Sequence, residues 1–283
     1  MIKLGLIGQA IQQSRSPALH TMLGNIHGLE LTYEMHIPDD GSPEAFRATL
    51  QRIRDEGYRG TNVTYPYKQV AIESAQILHP EVAHVGASNT LLLGQDIEAF
   101  NTDYTGFMKG YRARVGDQDA GSVLLVGAGG VGRAVAFALG ELGATDVKVF
   151  DLNTAGAESL VNALQTAGIV ATQVGKEELA EAALQADGLV NCTPVGHYKT
   201  PGNPLDRALF VDQKWAFDAV YTPIDTEFMV AAHESGLAVV SGFDLFIHQG
   251  IDAFEHFTGE KVDEQGIKRE FIRRFDLKSN LLG

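Results

Sequence analysis

Two polar segments end in groups able to move a proton: Asn62-Val63-Thr64-Tyr65-Pro66-Tyr67-Lys68 and Asn101-Thr102-Asp103. A lysine beside a carboxylate stays charged and can donate to a carbonyl oxygen. Desolvation pulls its pKa toward working pH, where the deprotonated amine takes the proton of an alcohol instead. Lys68 and Asp103 are therefore candidates for an acid/base pair. Ser14, Ser16, Asn62, Thr64 and Asn89 supply hydroxyl and amide groups of the kind that fix a polar ring. Singly, each residue has a plainer reading. Ser16 before Pro17 suits a helix N-cap, Asn62 and Asn101 are turn types, and Lys68 suits a solvated helix start. As a convergent set they describe a site for a small polar substrate, and only the fold can supply the convergence.

The sharpest local pattern is Val126-Gly127-Ala128-Gly129-Gly130-Val131-Gly132. A G-x-G-x-x-G match is weak in a chain with 31 glycines, but this one follows a strand pattern and opens a helix pattern. Gly127 permits a tight turn, Gly129 lets backbone approach a pyrophosphate, and Gly132 lets the helix pack on the strand. Ala128, Gly130 and Val131 then offer N–H groups at a helix N-terminus to phosphate. Asp151 ends the next strand, where a carboxylate hydrogen-bonds the ribose hydroxyls and repels a 2′-phosphate, so NAD is expected and NADP disfavoured. A P-loop does not fit, because Arg133-Ala134 stand where Lys-Ser/Thr is required. A methyltransferase nucleotide fold shares the strand, turn, helix and acid, and stays open at this point.

The elements that must carry these groups alternate between strand and helix character, which makes the class α/β. Ile2 to Ile7 is expected as a first buried strand. A helix follows from the N-cap Ser16, with Leu19, Met22, Leu23 and Ile26 as its apolar stripe and Gly28 as its stop. Ser42-Pro43 opens a second helix with Phe46, Leu50 and Ile53, closed at Gly57. Leu91–Leu93 and Ile97–Phe100 form a hairpin about Gly94-Gln95-Asp96. A second unit begins near residue 121, with strands at Ser122–Val126 and Val147–Phe150 around a helix at Val131–Leu142. Residues 191–204 read as a loop, and the chain is helical from Leu245.

The 283 residues suit about two domains. A net charge of −14 opposes binding to nucleic acid or anionic membrane, and no apolar run is long enough to span a bilayer. The single cysteine, Cys192, permits no intrachain disulfide, and the chain is expected in the cytoplasm. The nine histidines show no metal-binding spacing, so no metal is expected.

Taken together the motifs resemble the shikimate/quinate dehydrogenase family. The carrying segments are Ser14-Arg15-Ser16-Pro17, Asn62 to Lys68, Gly86-Ala87-Ser88-Asn89-Thr90, Asn101-Thr102-Asp103, Gly127 to Gly132, Asn191-Cys192-Thr193-Pro194-Val195-Gly196, Asp218-Ala219-Val220-Tyr221 and His248-Gln249-Gly250. The resemblance implies a substrate-binding catalytic domain over 1–104, with helices of 244–283 packing back on it, and a Rossmann domain over 105–243. The first would hold a mostly parallel sheet, and the active site would be a cleft between the two. It implies Lys68 and Asp103 as the catalytic pair, and Ser14, Ser16 and Tyr221 on the substrate carboxylate. Thr64, Asn89, Asp103 and Gln249 would hold the ring hydroxyls, with Asn62 beside them. Asn191, Cys192, Thr193 and Pro194 would line the nicotinamide side, and Asn153, Val220 and Gly242 complete the cofactor set. The implied partner is shikimate, quinate or an analogue, bound by a monomer or homodimer without metal.

NADP-using members typically carry Asn-Arg-Thr after the second Rossmann strand, whereas Asp151-Leu152-Asn153 stands here and resembles the NAD-using members. His197 replaces a usual methionine, either as a polar contact near the cofactor or as a tolerated loop residue. Ser88, Phe243 and Asp244 also depart from the pattern, which leaves shikimate, quinate and amino-substituted rings open. A glutamyl-tRNA reductase would need a cysteine nucleophile in the N-terminal domain, and a methyltransferase would leave Lys68 and Asp103 without a task. A low-turnover sensor of NAD and ring acid would not need that pair either.

Overall fold

In the computed structural model, which describes residues 1–281, the chain opens with β1 (Ile2–Ile7), α1 (Ser16–Ile26), β2 (Leu31–His36), α2 (Pro43–Asp55) and β3 (Gly60–Val63). There follow α3 (Val70–Glu73), β4 (Ile77–Leu78), α4 (Pro80–Val85), β5 (Thr90–Leu93), β6 (Ile97–Phe100) and α5 (Thr102–Val115). The second half runs β7 (Gly121–Val126), α6 (Gly130–Glu141), β8 (Ala144–Phe150), α7 (Thr154–Thr166), β9 (Ala171–Gln173), α8 (Leu179–Gln185) and β10 (Gly188–Asn191). It closes with β11 (Trp215–Asp218), α9 (Glu227–Glu234), β12 (Ala238–Ser241), α10 (Gly242–Thr258) and α11 (Glu264–Arg274).

These elements form two units, Met1–Asp103 with Ile247–Leu277, and Tyr104–Phe246 with residues 278–281. The boundaries fall inside α5 and α10. The last residues differ from expectation. Ser279 Oγ donates to Asp225 Oδ1 at 2.5 Å and Asn280 N to Asp225 Oδ2 at 2.7 Å, which ties this segment to the second unit.

The first unit's sheet has the order β2-β1-β3-β5-β6-β4, with only β5 antiparallel to its neighbours. Alternate residues serve opposite faces. Ile7, Val63, Leu91 and Ala99 pack with Phe46, Leu50 and Ile53 of α2, while Leu4 and Leu6 pack with Ala253 and Phe257 of α10. Gly60 admits this contact: a Cβ there would lie 2.3 Å from Phe257.

Ser42 caps α2 as expected, accepting from Ala45 N at 3.2 Å. Ser16 does not cap α1. Arg15 is the cap residue, Ser16 is already helical, and Ser14 Oγ accepts the Ser16 N–H at 3.2 Å. With the cap one residue earlier, at Arg15, the Ser16 hydroxyl is not used as a cap.

The second unit's sheet is parallel throughout, in the order β12-β11-β10-β7-β8-β9. Its interior strands β10 and β11 are buried along their whole length, as expected of strands covered on both faces. Leu124, Leu189 and Ala216 pack against Phe228, Ala231 and Ala232 of α9, while α6 buries Ala134, Val135, Ala138 and Leu139. Among the described residues no helix is long and apolar enough to cross a membrane.

Candidate active site

Strand register gathers the polar segments of the first unit at one sheet edge. β1 and β3 end side by side, with Ile7 opposite Val63, and the chain leaves them through Gly8–Ser16 and Thr64–Lys68. Because β5 is antiparallel, its first residue Thr90 lies opposite both Asn62 and Phe100, the last residue of β6. Ser88–Asn89 and Asn101–Asp103 therefore flank the same edge.

Here Lys68 Nζ donates to Asp103 Oδ2 at 2.5 Å, with side chains only 13% and 9% exposed. A charged pair so sheltered from water interacts strongly and is fixed in direction. The lysine is held from behind. Tyr67 is fully buried and stacks on Phe46 at 5.1 Å, and its hydroxyl accepts from Gln9 Nε2 at 2.9 Å and donates to the Asp40 carbonyl. The Lys68 carbonyl accepts from Ser88 N at 2.8 Å.

Asp103 is held by the start of α5. Asn89 Oδ1 accepts from Thr102 N at 2.7 Å, and Asn89 Nδ2 donates to Thr102 Oγ1 at 3.0 Å. Asn62 is more structural than the sequence implied. Its Oδ1 accepts from Tyr33 Oη at 2.8 Å, and its Nδ2 donates to Thr90 Oγ1 at 3.0 Å and the Asn89 carbonyl at 3.3 Å. Ser14 and Ser16 are half-buried, with Ser14 Oγ donating to Ser16 Oγ at 3.2 Å, and Thr64 is half-buried beside Gly8. Gln249 lies on α10 within this unit.

The second unit repeats the device with an all-parallel sheet. Phe150, Val126, Asn191, Asp218 and Ser241 stand in one row at the strand ends. The residues that follow them, Asp151, Gly127, Cys192, Ala219 and Gly242, thus share the carboxyl edge where open α/β sheets bind ligands. Gly127 has φ +104°, and a Cβ there would sit 2.6 Å from the Cys192 carbonyl carbon. A Cβ on Gly132 would lie 1.9 Å from the Gly127 carbonyl oxygen. Gly129, the cap of α6, has open space where its Cβ would be. The N–H groups of Gly130, Val131 and Gly132 have no carbonyl to bond within their own helix. This cradle fits the pyrophosphate of a dinucleotide.

Asp151 Oδ2 accepts from Ala128 N at 2.7 Å and Oδ1 from Asn153 N at 2.8 Å, so its carboxylate binds the glycine turn to the following one. Asn153 caps α7 through Gly156 N at 3.2 Å.

Beneath the Cys192–Pro194 loop the strand ends Asn191 and Asp218 form a buried hub. Asn191 Oδ1 accepts from Thr193 N at 3.0 Å and Thr193 Oγ1 at 2.7 Å. Asn191 Nδ2 donates to the Val195 carbonyl at 3.0 Å and to Asp218 Oδ1 at 2.9 Å. Asp218 also accepts from Val220 N at 2.9 Å and Thr226 Oγ1 at 2.5 Å. Burial outweighs these bonds and pushes the Asp218 carboxyl up to about 7. Gly242 lets α10 start against the Ala219 carbonyl oxygen, 2.4 Å from where its Cβ would be.

Tyr221 lies in this second unit, stacked on Phe246 at 5.1 Å. His197 Nδ1 accepts from Lys199 N at 3.1 Å and closes its own turn. Among the described residues no group of three or more His, Cys, Asp or Glu is placed to hold a metal ion.

Comparison with known proteins gives a consistent picture. Residues 6–91 match the shikimate dehydrogenase substrate binding domain family. A quinate/shikimate dehydrogenase (NAD(+)) of Corynebacterium efficiens is 35% identical, over 96% of this chain and 98% of that protein. A shikimate dehydrogenase (NADP(+)) of an Arthrobacter species is 33% identical, over 95% and 94%. Among solved structures, the quinate dehydrogenase of Corynebacterium glutamicum in complex with NAD aligns with a TM-score of 0.89 at 33% identity, covering 96% of this chain and 99% of that one. The shikimate 5-dehydrogenase of Thermus thermophilus in complex with NADP(H) and shikimate aligns at 0.83 and 35%, covering 97% and 99%.

Proposed function

The chain belongs to the shikimate/quinate dehydrogenase family, and on that premise we propose that it is an NAD-dependent dehydrogenase interconverting a ring hydroxyl of quinate or shikimate with the corresponding ketone. The observation that carries the reading is the sheltered Lys68–Asp103 pair at 2.5 Å, set among hydroxyl and amide side chains at one sheet edge. A nicotinamide dinucleotide, when bound, supplies the hydride acceptor or donor.

The chain's own residues do the rest. In its neutral form Lys68 Nζ takes the hydroxyl proton as the ring carbon is oxidised, becoming the cation paired with Asp103, and in reverse that cation returns the proton to the carbonyl oxygen. Asp103 keeps the lysine aimed and stabilises it once protonated. Ser14 and Ser16 hydrogen-bond the ring carboxylate. These neutral donors are roughly half as strong as charge-assisted ones, so affinity for the acid is modest. Thr64, Asn89 and Gln249 select the ring hydroxyls.

In the second unit Gly127 to Gly132 receives the pyrophosphate, and Asp151 keeps lone pairs for the ribose hydroxyls. The exposed Leu152 beside Asp151 offers no charge to a 2′-phosphate, which supports NAD over NADP. Cys192, Thr193, Pro194 and Val220 form the nicotinamide end of the same edge. A single cysteine and the absence of disulfides fit a cytoplasmic enzyme.

The test is a two-by-two grid of initial rates, quinate or shikimate with NAD or NADP. Turnover with NAD by either acid supports the proposal, and the faster acid names the substrate. Preference for NADP overturns the role given to Asp151. No turnover with either acid while NAD still binds overturns the proposed substrate and points to an amino-substituted ring or a sensor.

A further inference from the structure

One side chain joins the two ends of the proposed substrate site. Gln9 follows β1, at the start of the loop that carries Ser14 and Ser16. Its Nε2 meets three oxygens, the Pro38 carbonyl, the Asp40 carbonyl and the Tyr67 hydroxyl, each at 2.9 Å. Its backbone N–H donates to the Tyr65 carbonyl at 2.9 Å. Two of these four partners, Tyr65 and Tyr67, belong to the segment that ends at Lys68. Gly8 lets the two segments touch, since a Cβ there would lie 2.3 Å from Thr64 Cγ2.

The roles are fixed by chemistry. Carbonyl oxygens only accept, so the amide nitrogen of Gln9 faces this corner, and its two protons are shared among three acceptors. Tyr67 accepts from Gln9 and passes its own proton to the Asp40 carbonyl, which closes a ring of bonds. Tyr67 cannot yield, being fully buried and stacked on Phe46.

Beyond Gln9 the loop is held against its preference. Ala10 has φ +54°, in the left-handed region that L side chains rarely adopt. Such an angle persists where the surroundings over-determine it. Gln9 fixes one side of Ala10. On the other, Ile11 is buried in the cluster with Leu4 and Leu6, and its carbonyl accepts from Ser14 N at 2.8 Å.

We propose that Gln9 is a positioning residue that sets the span between the hydroxyls of Ser14 and Ser16 and the amine of Lys68. This deepens the proposed activity and rests on it. A ring acid is nearly rigid, so once its carboxylate is seated on the serines the place of its reacting hydroxyl follows. Lys68 reaches that hydroxyl only if the serine loop and the lysine segment keep one separation, and Gln9 is bonded to both. Without its donors the acid takes several poses, of which only some bring the hydroxyl to Lys68.

The experiment measures kcat and KM for the ring acid at saturating NAD, and the dissociation constant of NAD, in Gln9→Leu. This variant keeps the size of the side chain and removes its donors. Gln51→Leu is the control, because Gln51 lies exposed on α2 and donates only to Asp55 Oδ1, at 2.8 Å. Gln9→Leu is expected to lower kcat/KM for the acid on the order of 10-fold, with NAD affinity within about 2-fold of wild type, while Gln51→Leu changes neither.

A merely structural role would not show the next signature. If Gln9 acts by relating the serines to the lysine, its loss costs less than about 3-fold in a Ser14→Ala background, where one anchor of the carboxylate is already gone. Effects that multiply in full overturn the proposal, as does an unchanged kcat/KM in Gln9→Leu. Should that variant fold poorly, Gln9→Glu keeps the shape, turns the donor into an acceptor and carries the same expectations. A wild type that turns over neither acid overturns the proposed activity and this inference with it. A wild type that turns over beside an unaffected Gln9→Leu overturns this inference alone.

Discussion

The Asp151 carboxylate does two jobs with four lone-pair directions: it accepts Ala128 N and Asn153 N, and has capacity left for a ribose. Asp151→Ala should therefore weaken NAD binding about 10-fold or more and also loosen the glycine turn, costing about 1 kcal/mol of stability. Fluorescence titration with NADH and a thermal melt without ligand check the two halves separately. Lost affinity with an unchanged melt would limit Asp151 to the ribose. Lys68, Asp103 and Asp151 were legible in the sequence because each ends a motif of distinctive residue types. The buried bond between Asn191 and Asp218 was not, since it joins two strand ends that only the fold brings side by side. Ser16 was misread as a cap because a serine before proline fits that role locally, whereas Ser14 takes the N–H in the folded chain.

At the scale of elements, strand ends make both sites, and helices must approach them closely. Gly132→Ala would place a methyl 1.9 Å from the Gly127 carbonyl oxygen, a backbone atom that cannot move aside without opening the turn. The variant is expected to lose NAD binding and more than about 2 kcal/mol of stability, measured by urea unfolding.

Asp218 gives the second unit a pH dependence of known sign. Folded, it keeps its proton up to about 7; unfolded, only to the ordinary carboxylate range. Between those values the folded protein binds more protons, so stability falls as pH rises through the window. Wild type should therefore lose a few kcal/mol relative to Asp218→Asn between about pH 4 and 8. Parallel unfolding curves at both pH values would contradict this. The long helices α1, α2 and α6 and the 93–97 hairpin were readable from period and caps. The short α3, β4 and α4 were not, having too few residues to show a period. The hairpin set β5 against β6, but not which of the two runs against the rest of the sheet; that is set by the pairing of β5 with β3.

For the whole molecule, each unit encloses its own apolar core, and ligands that bind only the folded chain should stabilise it by mass action. At 100 times its dissociation constant NAD should add about 2.7 kcal/mol, seen as a raised melting temperature, with NADP at equal concentration giving less. Equal shifts would argue against discrimination at Asp151. The acidic surface does not prevent an anionic substrate from binding, because the local donors Ser14 and Ser16 are neutral.

The central claim is that Lys68 carries the proton while other groups bind the ligands. Its most direct test is turnover by Lys68→Ala beside calorimetric binding of NAD and of the ring acid to the same variant. The account predicts kcat lower by roughly 10²–10⁴-fold, with NAD binding unchanged and the acid still bound. A variant that keeps its kcat, or loses activity only because the acid no longer binds, would contradict it.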